Sequence, residues 1–214
     1  MFKLYGLPAT PGDMLDGNEG SWVGMVVDFS LAQRNGFCIS YARTIISRKH
    51  GILSEEEYQD LYQKYYNEGA SFLKGCLNHF KASVLRITRN RGIVSEEHVK
   101  NFNKLAEQML VAPTPTDLLN LAKVLIQNFP KCKPWLNWWM NGDVSGMIFA
   151  AQCSMDMESW NALPSTTNAQ ESKHCDYYRV TEKHKSVREA IRGCYLYALN
   201  AWAEIEQLHK GLKI

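Results

Sequence analysis

WVGMVVDFS, residues 22–30, decides how the chain is read. Its valines and methionine run up to an acid, Asp28, which is the pattern of a buried strand ending in a carboxylate. Working outward, FLKGCLNHFKASVLRITRNRG holds a second short strand around Phe72–Leu77 that passes into a helix. Between the two, Ser30 caps a helix over SLAQRNGFCISYARTIISRK. A second helix opens with a Ser54/Glu57 capping box and is expected to end at Gly69. Further along, Ser95 is read as the cap of a helix with Val99, Phe102, Leu105 and Met109 at helical spacing, and Thr114–Pro115 opens another through about Asn128. CKPWLNWWMNGD reads as an aromatic knot ended by Gly142, VSGMIFAAQCSMDMESW as helical, and a helix is expected from Ala169. Ser186 and Glu189 box the last helix, which carries Val187, Ile191, Cys194, Ala198, Trp202, Ile205 and Leu208 on one face. The result is an α/β chain that is mostly helical. Two strands are too few to bury an acid-tipped strand, so further strands are expected from residues 1–21 or from beyond the chain.

At 214 residues, 45% hydrophobic and 21% charged, the chain can bury a core and reads as globular. A formal charge of +2 names no partner, but its distribution is uneven. Lys74, Lys81, Arg86, Arg89, Arg91 and Lys100 face only Glu96 and Glu97 over that stretch, a basic stripe compatible with a phosphate backbone or with a solvated face. The six cysteines are scattered, with no CxxC pair, and read as reduced thiols of an intracellular protein. No apolar run approaches the ~20 residues of a membrane span, and no secretion or transit signal is visible.

Three features carry chemistry: Asp28 at a strand end, Cys76 and His79 as C-x-x-H at the next strand-to-helix junction, and STTNAQES, with Glu171 in the first turn of a late helix. Taken singly, Asp28 reads as a cap, Cys76 as a small core residue, His79 as a polar cap, and Glu171 as the partner of Asn168 in a capping box. Their order resembles the C-terminal two-thirds of the Mutator-like transposase catalytic domain, over roughly residues 22–185. MVVDFSLAQRNGF matches the strand and helix of the family's second Asp, Cys76 and His79 match its C-x-x-H, and Thr166, Thr167, Asn168, Glu171 and Ser172 match its T-[ST]-N-x-x-E-[RS] signature.

The resemblance implies a ribonuclease H-like core interrupted by an all-helical insertion. Residues 1–21 would be irregular, 22–91 a partial core, 92–162 the insertion, and 163–214 the closing helices with the Glu. It further implies Asp28 and Glu171 as catalytic carboxylates and ligands of Mg²⁺ or Mn²⁺, in a two-metal site complete only in the intact domain. A Glu in the first turn of a helix is favoured in its charged form, and a strand-end Asp points into the crevice where α/β sheets bind ligands. Cys76 and His79 would brace the core beside the acids. Arg86, Arg89, Arg91, Trp138, Thr167 and Asn168 would contact DNA at the element ends, the arginines as phosphate neutralisers and Trp138 by stacking. A nuclear location, a homo-oligomer and no membrane association go with the family. The departure is the first Asp, which needs about 45 residues or more upstream of the second at ordinary element lengths. Asp13, Asp16 and Glu19 lie too close to Asp28, so the chain is expected to be a fragment that cannot cleave DNA by itself.

Three other readings compete. Cys76, His79, His174 and Cys175 could form a zinc site, although the adjacent pair would point ~100° apart on a helix. A Cys–His hydrolase lacks any visible oxyanion loop. A non-catalytic helical DNA-binding or protein-interaction protein would make the acids mere caps. The distance between Asp28 and Glu171 would separate the last reading from the transposase one.

Overall fold

In the computed structural model, residues 24–168, Ser172 and 186–209 are described. The chain divides between Thr167 and Asn168 into two compact units. The first is mostly helical and contains a small parallel sheet of two strands, β1 (Met25–Val27) and β2 (Leu73–Gly75). Their register pairs Met25 with Leu73, Val26 with Lys74 and Val27 with Gly75. No third strand lies among the described residues.

Parallel strands need a long crossover, and two helices supply it, α1 (Leu31–Lys49) and α2 (Glu55–Ser71). The hydroxyl of Ser30 accepts from the Gln33 N–H to start α1, and the Ser54/Glu57 box starts α2. The two helices pack through Tyr41, Ala42, Ile45, Ile46 and Tyr65. Gly69 does not end α2 as expected. It lies inside the helix, where an added Cβ would sit 3.3 Å from the Cys38 Cα and from the Tyr41 ring, so the missing side chain serves helix packing. At the entry to β1, Gly24 takes a φ of +148°, and an added Cβ would meet the Phe72 carbonyl oxygen at 2.5 Å.

Both faces of the sheet are covered. Val26 packs with Cys76, Met155, Trp160 and Leu163, while Val27 and Leu73 pack with Cys38 and Met147. After β2 come α3 (Leu77–Arg89), α4 (Val99–Leu110), α5 (Pro115–Asn128), α6 (Lys133–Trp139), α7 (Gly142–Ile148) and α8 (Met157–Ala162). Their main core is aromatic and aliphatic, centred on Phe80, Phe102, Leu118, Leu125, Leu136, Trp139 and Phe149.

Several boundaries differ from expectation for local reasons. Ser95 opens a 3-10 turn, Glu96–His98, before α4, and its hydroxyl meets His98 Nδ1 at 2.7 Å without capping a backbone N–H. Gly142 begins α7, because the Asn141 side chain accepts from the Asp143 N–H. The segment from Val144 to Trp160 is broken into α7, a 3-10 turn (Ala150–Gln152) and α8, which Asp156 caps by accepting from the Ser159 N–H.

In the second unit, the Ser186/Glu189 box is formed and opens α9 (Val187–His209). Its Ile191, Tyr195, Leu199 and Trp202 are exposed. The helix expected from Ala169 lies outside the described residues. Among the described residues, no helix is long and apolar enough to cross a membrane.

Candidate functional site

The site is a product of strand register. Because Val27 pairs with Gly75, the two strands end side by side, and the next residues along are Asp28 and Cys76. The Cys76 N–H donates to the Val27 carbonyl at 3.0 Å, extending the ladder by one bond. Cys76 is the N-cap of α3, and His79 stands three residues on, in its first turn. From there His79 Nδ1 lies 3.2 Å from Asp28 Oδ1. A C-x-x-H pair at a strand-to-helix junction thus sets a buried sulfur and a half-exposed imidazole on either side of one carboxylate.

A third segment joins them from far along the chain. The Leu77 N–H donates to the Ser165 carbonyl at 2.7 Å, which lays residues 165–167 across the start of α3. Thr167, buried, then donates its backbone N–H to Cys76 Sγ at 3.4 Å. Its hydroxyl lies 3.3 Å from the same sulfur and 3.4 Å from Asp28 Oδ1. Burial pushes the Cys76 thiol up, but the donors from Thr167 and the hydrogen bonds with His79 outweigh it, and its pKa falls below the ordinary thiol value. The thiols of Cys38, Cys132 and the partly buried Cys153 behave differently. Desolvation raises Cys38 and Cys153, and raises Cys132 to about 11.

Asp28 and His79 open onto a cavity of about 570 Å³. His79, Ser83 and Arg86 line it from one face of α3, at spacings of four and three residues. Trp135, Trp138 and Trp139 line it from α6, and Phe29 lies against them, its ring 4.7 Å from that of Trp139 and 6.0 Å from that of Trp138. Trp139 is core, Trp135 donates its indole N–H to Ser83 Oγ at 3.2 Å, and Trp138 is 42% exposed. The cavity therefore joins a carboxylate, an imidazole and a guanidinium to an aromatic wall.

Of the residues expected at the site, Asp28, Cys76, His79, Arg86, Trp138 and Thr167 gather here. Arg89 is exposed near the end of α3 and does not line the cavity. Arg91 lies beyond α3, where it donates to the Thr88 carbonyl at 3.3 Å and stands 3.9 Å from Glu96. Asn168 is exposed and belongs to the second unit. Glu171, His174 and Cys175 lie outside the described residues, so neither the Asp28–Glu171 separation nor the four-ligand zinc set has a geometry here. Lys74 corrects the basic stripe. It is buried in β2, donates to the Trp160 and Leu163 carbonyls at 2.6 and 3.0 Å, and lies over the Trp160 ring. Burial lowers its pKa.

The sequence reading missed Phe29, Ser30 and Ser83 as site residues. For Ser83 a signal was present, since His79, Ser83 and Arg86 follow helical spacing on one face. Phe29 gave none, because its place follows from Gly75, where an added Cβ would run into the Phe29 ring.

Asp28, Cys76 and His79 offer three ligand atoms that all lie within 4.8 Å of one another. Among the described residues that line the cavity, Asp28 is the one carboxylate. It can contribute to a Mg²⁺ site, an ion that takes one or two carboxylates and keeps several waters. No protein-family model, curated protein or solved structure matches the chain.

Proposed function

We propose that this chain carries the part of a Mutator-like, ribonuclease H-like transposase domain that supplies the second Asp, the C-x-x-H pair and the Glu signature. In this reading the cavity beside Asp28 is a DNA-binding surface. One observation carries it: Thr167 lies within 3.4 Å of both Asp28 and Cys76, across 139 and 91 residues of chain. Independent helix caps have no reason to converge. Three motifs that serve one site do.

Asp28 and Glu171 would hold the Mg²⁺ or Mn²⁺, which when bound supplies activation of water or a 3′ hydroxyl and stabilises the leaving oxygen. The chain's own residues do the positioning. Arg86, and Arg89 further along α3, neutralise phosphates, and Trp138 offers a half-exposed face to a base. The first acid of the family has no counterpart here, so the 214 residues are expected to bind DNA ends without cutting them. A nuclear protein goes with this reading.

The test is DNA binding by the full chain over a range of salt. Affinity is expected to fall steeply with salt, and Arg86→Ala and Arg89→Ala to reduce the slope by about one each. Trp138→Ala is expected to weaken single-stranded DNA by about 1–3 kcal/mol. Salt-insensitive binding, or Mg²⁺-dependent cleavage by the chain alone, would contradict the proposal.

A second reading is favoured by α9. Ile191, Tyr195, Leu199 and Trp202 are 47–65% exposed at spacings of four, four and three residues, an apolar stripe suited to a helical partner or a second copy. If that is the main function, Trp202→Glu changes the mass measured by light scattering while Arg86→Ala changes nothing.

A further inference from the structure

We infer that Asp28, Cys76 and His79 form a site for a single borderline divalent cation of the zinc class, with one coordination position open to the cavity. This rests on the three side chains themselves and stands whether or not the chain binds DNA.

The donor set comes first. A thiolate, an imidazole and a carboxylate suit zinc or cobalt, whereas Mg²⁺ takes oxygen ligands. Geometry comes next. With bonds of about 2.0–2.1 Å to nitrogen and oxygen and about 2.3 Å to sulfur, the ligand atoms of such a tetrahedral site stand roughly 3.3–3.6 Å apart. His79 Nδ1 and Asp28 Oδ1 are already 3.2 Å apart, and all three atoms lie within 4.8 Å of one another, so closing the set takes side-chain adjustments of about an ångström. The ligands also stand on ordered elements: Asp28 at the end of β1, Cys76 beside it at the start of α3, and His79 in the first turn of that helix.

The surroundings of the sulfur are those of a metal thiolate. Thr167 directs its N–H and its hydroxyl at Cys76 Sγ, and such outer hydrogen bonds orient a ligand and stabilise its charged form. Asp28 and His79, half-exposed, border the cavity that Ser83 and Arg86 also line, so a fourth ligand can reach the set from there. Three protein ligands plus an open position is the arrangement in which zinc takes water or an anion as its fourth ligand, and the Arg86 guanidinium selects for an anion. Zinc held here would occupy Asp28 and so compete with Mg²⁺ for that carboxylate.

Cobalt(II) tests this on the full chain after chelator treatment. A thiolate-to-cobalt charge-transfer band and tetrahedral visible bands are expected to saturate at one equivalent, to vanish on adding one equivalent of Zn²⁺, and to persist in excess Mg²⁺. Cys76→Ser should abolish the charge-transfer band. His79→Gln, at a half-exposed position where folding is not at stake, should weaken cobalt binding at least tenfold, as should Asp28→Asn. Cys194→Ser and Cys175→Ser should leave the spectrum unchanged. Absence of the band, its survival at full affinity in His79→Gln, or its loss in either of the last two variants would overturn the assignment.

Discussion

Thr167 shows how much one side chain can hold together. It is a buried residue that reaches the ends of both strands, and its donors, together with the hydrogen bonds of His79, hold the Cys76 thiol below its ordinary value. Thr167→Val keeps the shape and the backbone N–H but removes the hydroxyl. It is expected to cost about 1 kcal/mol in urea unfolding, with the denaturant slope unchanged. Cys132 should show the opposite kind of thiol. Burial pushes its thiol up to about 11 from an ordinary 9.0, so above pH 9 the unfolded chain loses a proton that the folded chain keeps. Stability from this group is complete below pH 9 and is lost toward pH 11, at up to about 1.4 kcal/mol per pH unit. Cys132→Ala should flatten that alkaline slope, measured by urea unfolding at pH 8, 9 and 10, whatever it costs at neutral pH. At this scale Asp28, Cys76 and His79 were legible, because a strand-end acid and a C-x-x-H are local patterns. Lys74 was not. A lysine read by type is placed in solvent, and only the carbonyls of Trp160 and Leu163, 86 and 89 residues away, account for its burial.

Elements start where a side chain can answer a backbone N–H, and the structure separates true caps from apparent ones. Thr114 accepts from the Asp117 N–H at 3.1 Å, so Thr114→Ala is expected to destabilise by about 1 kcal/mol. Ser95, in a similar sequence setting, makes no such bond, and Ser95→Ala should stay within about 0.5 kcal/mol. Chemical denaturation of the two variants side by side decides this. Capping boxes could be read from sequence because both partners sit three residues apart. The glycines could not. Gly69 and Gly142 look like terminators, yet one admits the neighbouring helix and the other sits behind an Asn cap. Gly75 is the third case. Gly75→Ala sets a methyl against the Phe29 ring and should cost about 1–3 kcal/mol, visible as a lowered urea midpoint.

At the scale of the molecule, the sequence made the helical character and both strands legible, since each has its own periodicity. It did not reveal how three motifs share one corner. That follows from the parallel register, which no local pattern specifies, and from the return of residues 165–167 to the start of α3. The aromatic core behind the corner carries much of the stability. Phe102→Ala, at a fully buried position among Phe129 and Trp135, should cost about 3–5 kcal/mol and leave the cobalt spectrum of the folded fraction intact.

The return of Thr167 also has a consequence in time. Contacts that close 91 and 139 residues of chain carry the largest loop entropy and are rewarded late. The crossover helices and the aromatic bundle consist of nearer contacts and can condense first. On a ribosome, Asp28 and Cys76 therefore emerge and wait, side by side but uncovered, until residues 165–167 follow them. The site is completed as a final step, and any nascent chain halted before residue 167 would display its sulfur and its carboxylate without the residue that closes over them.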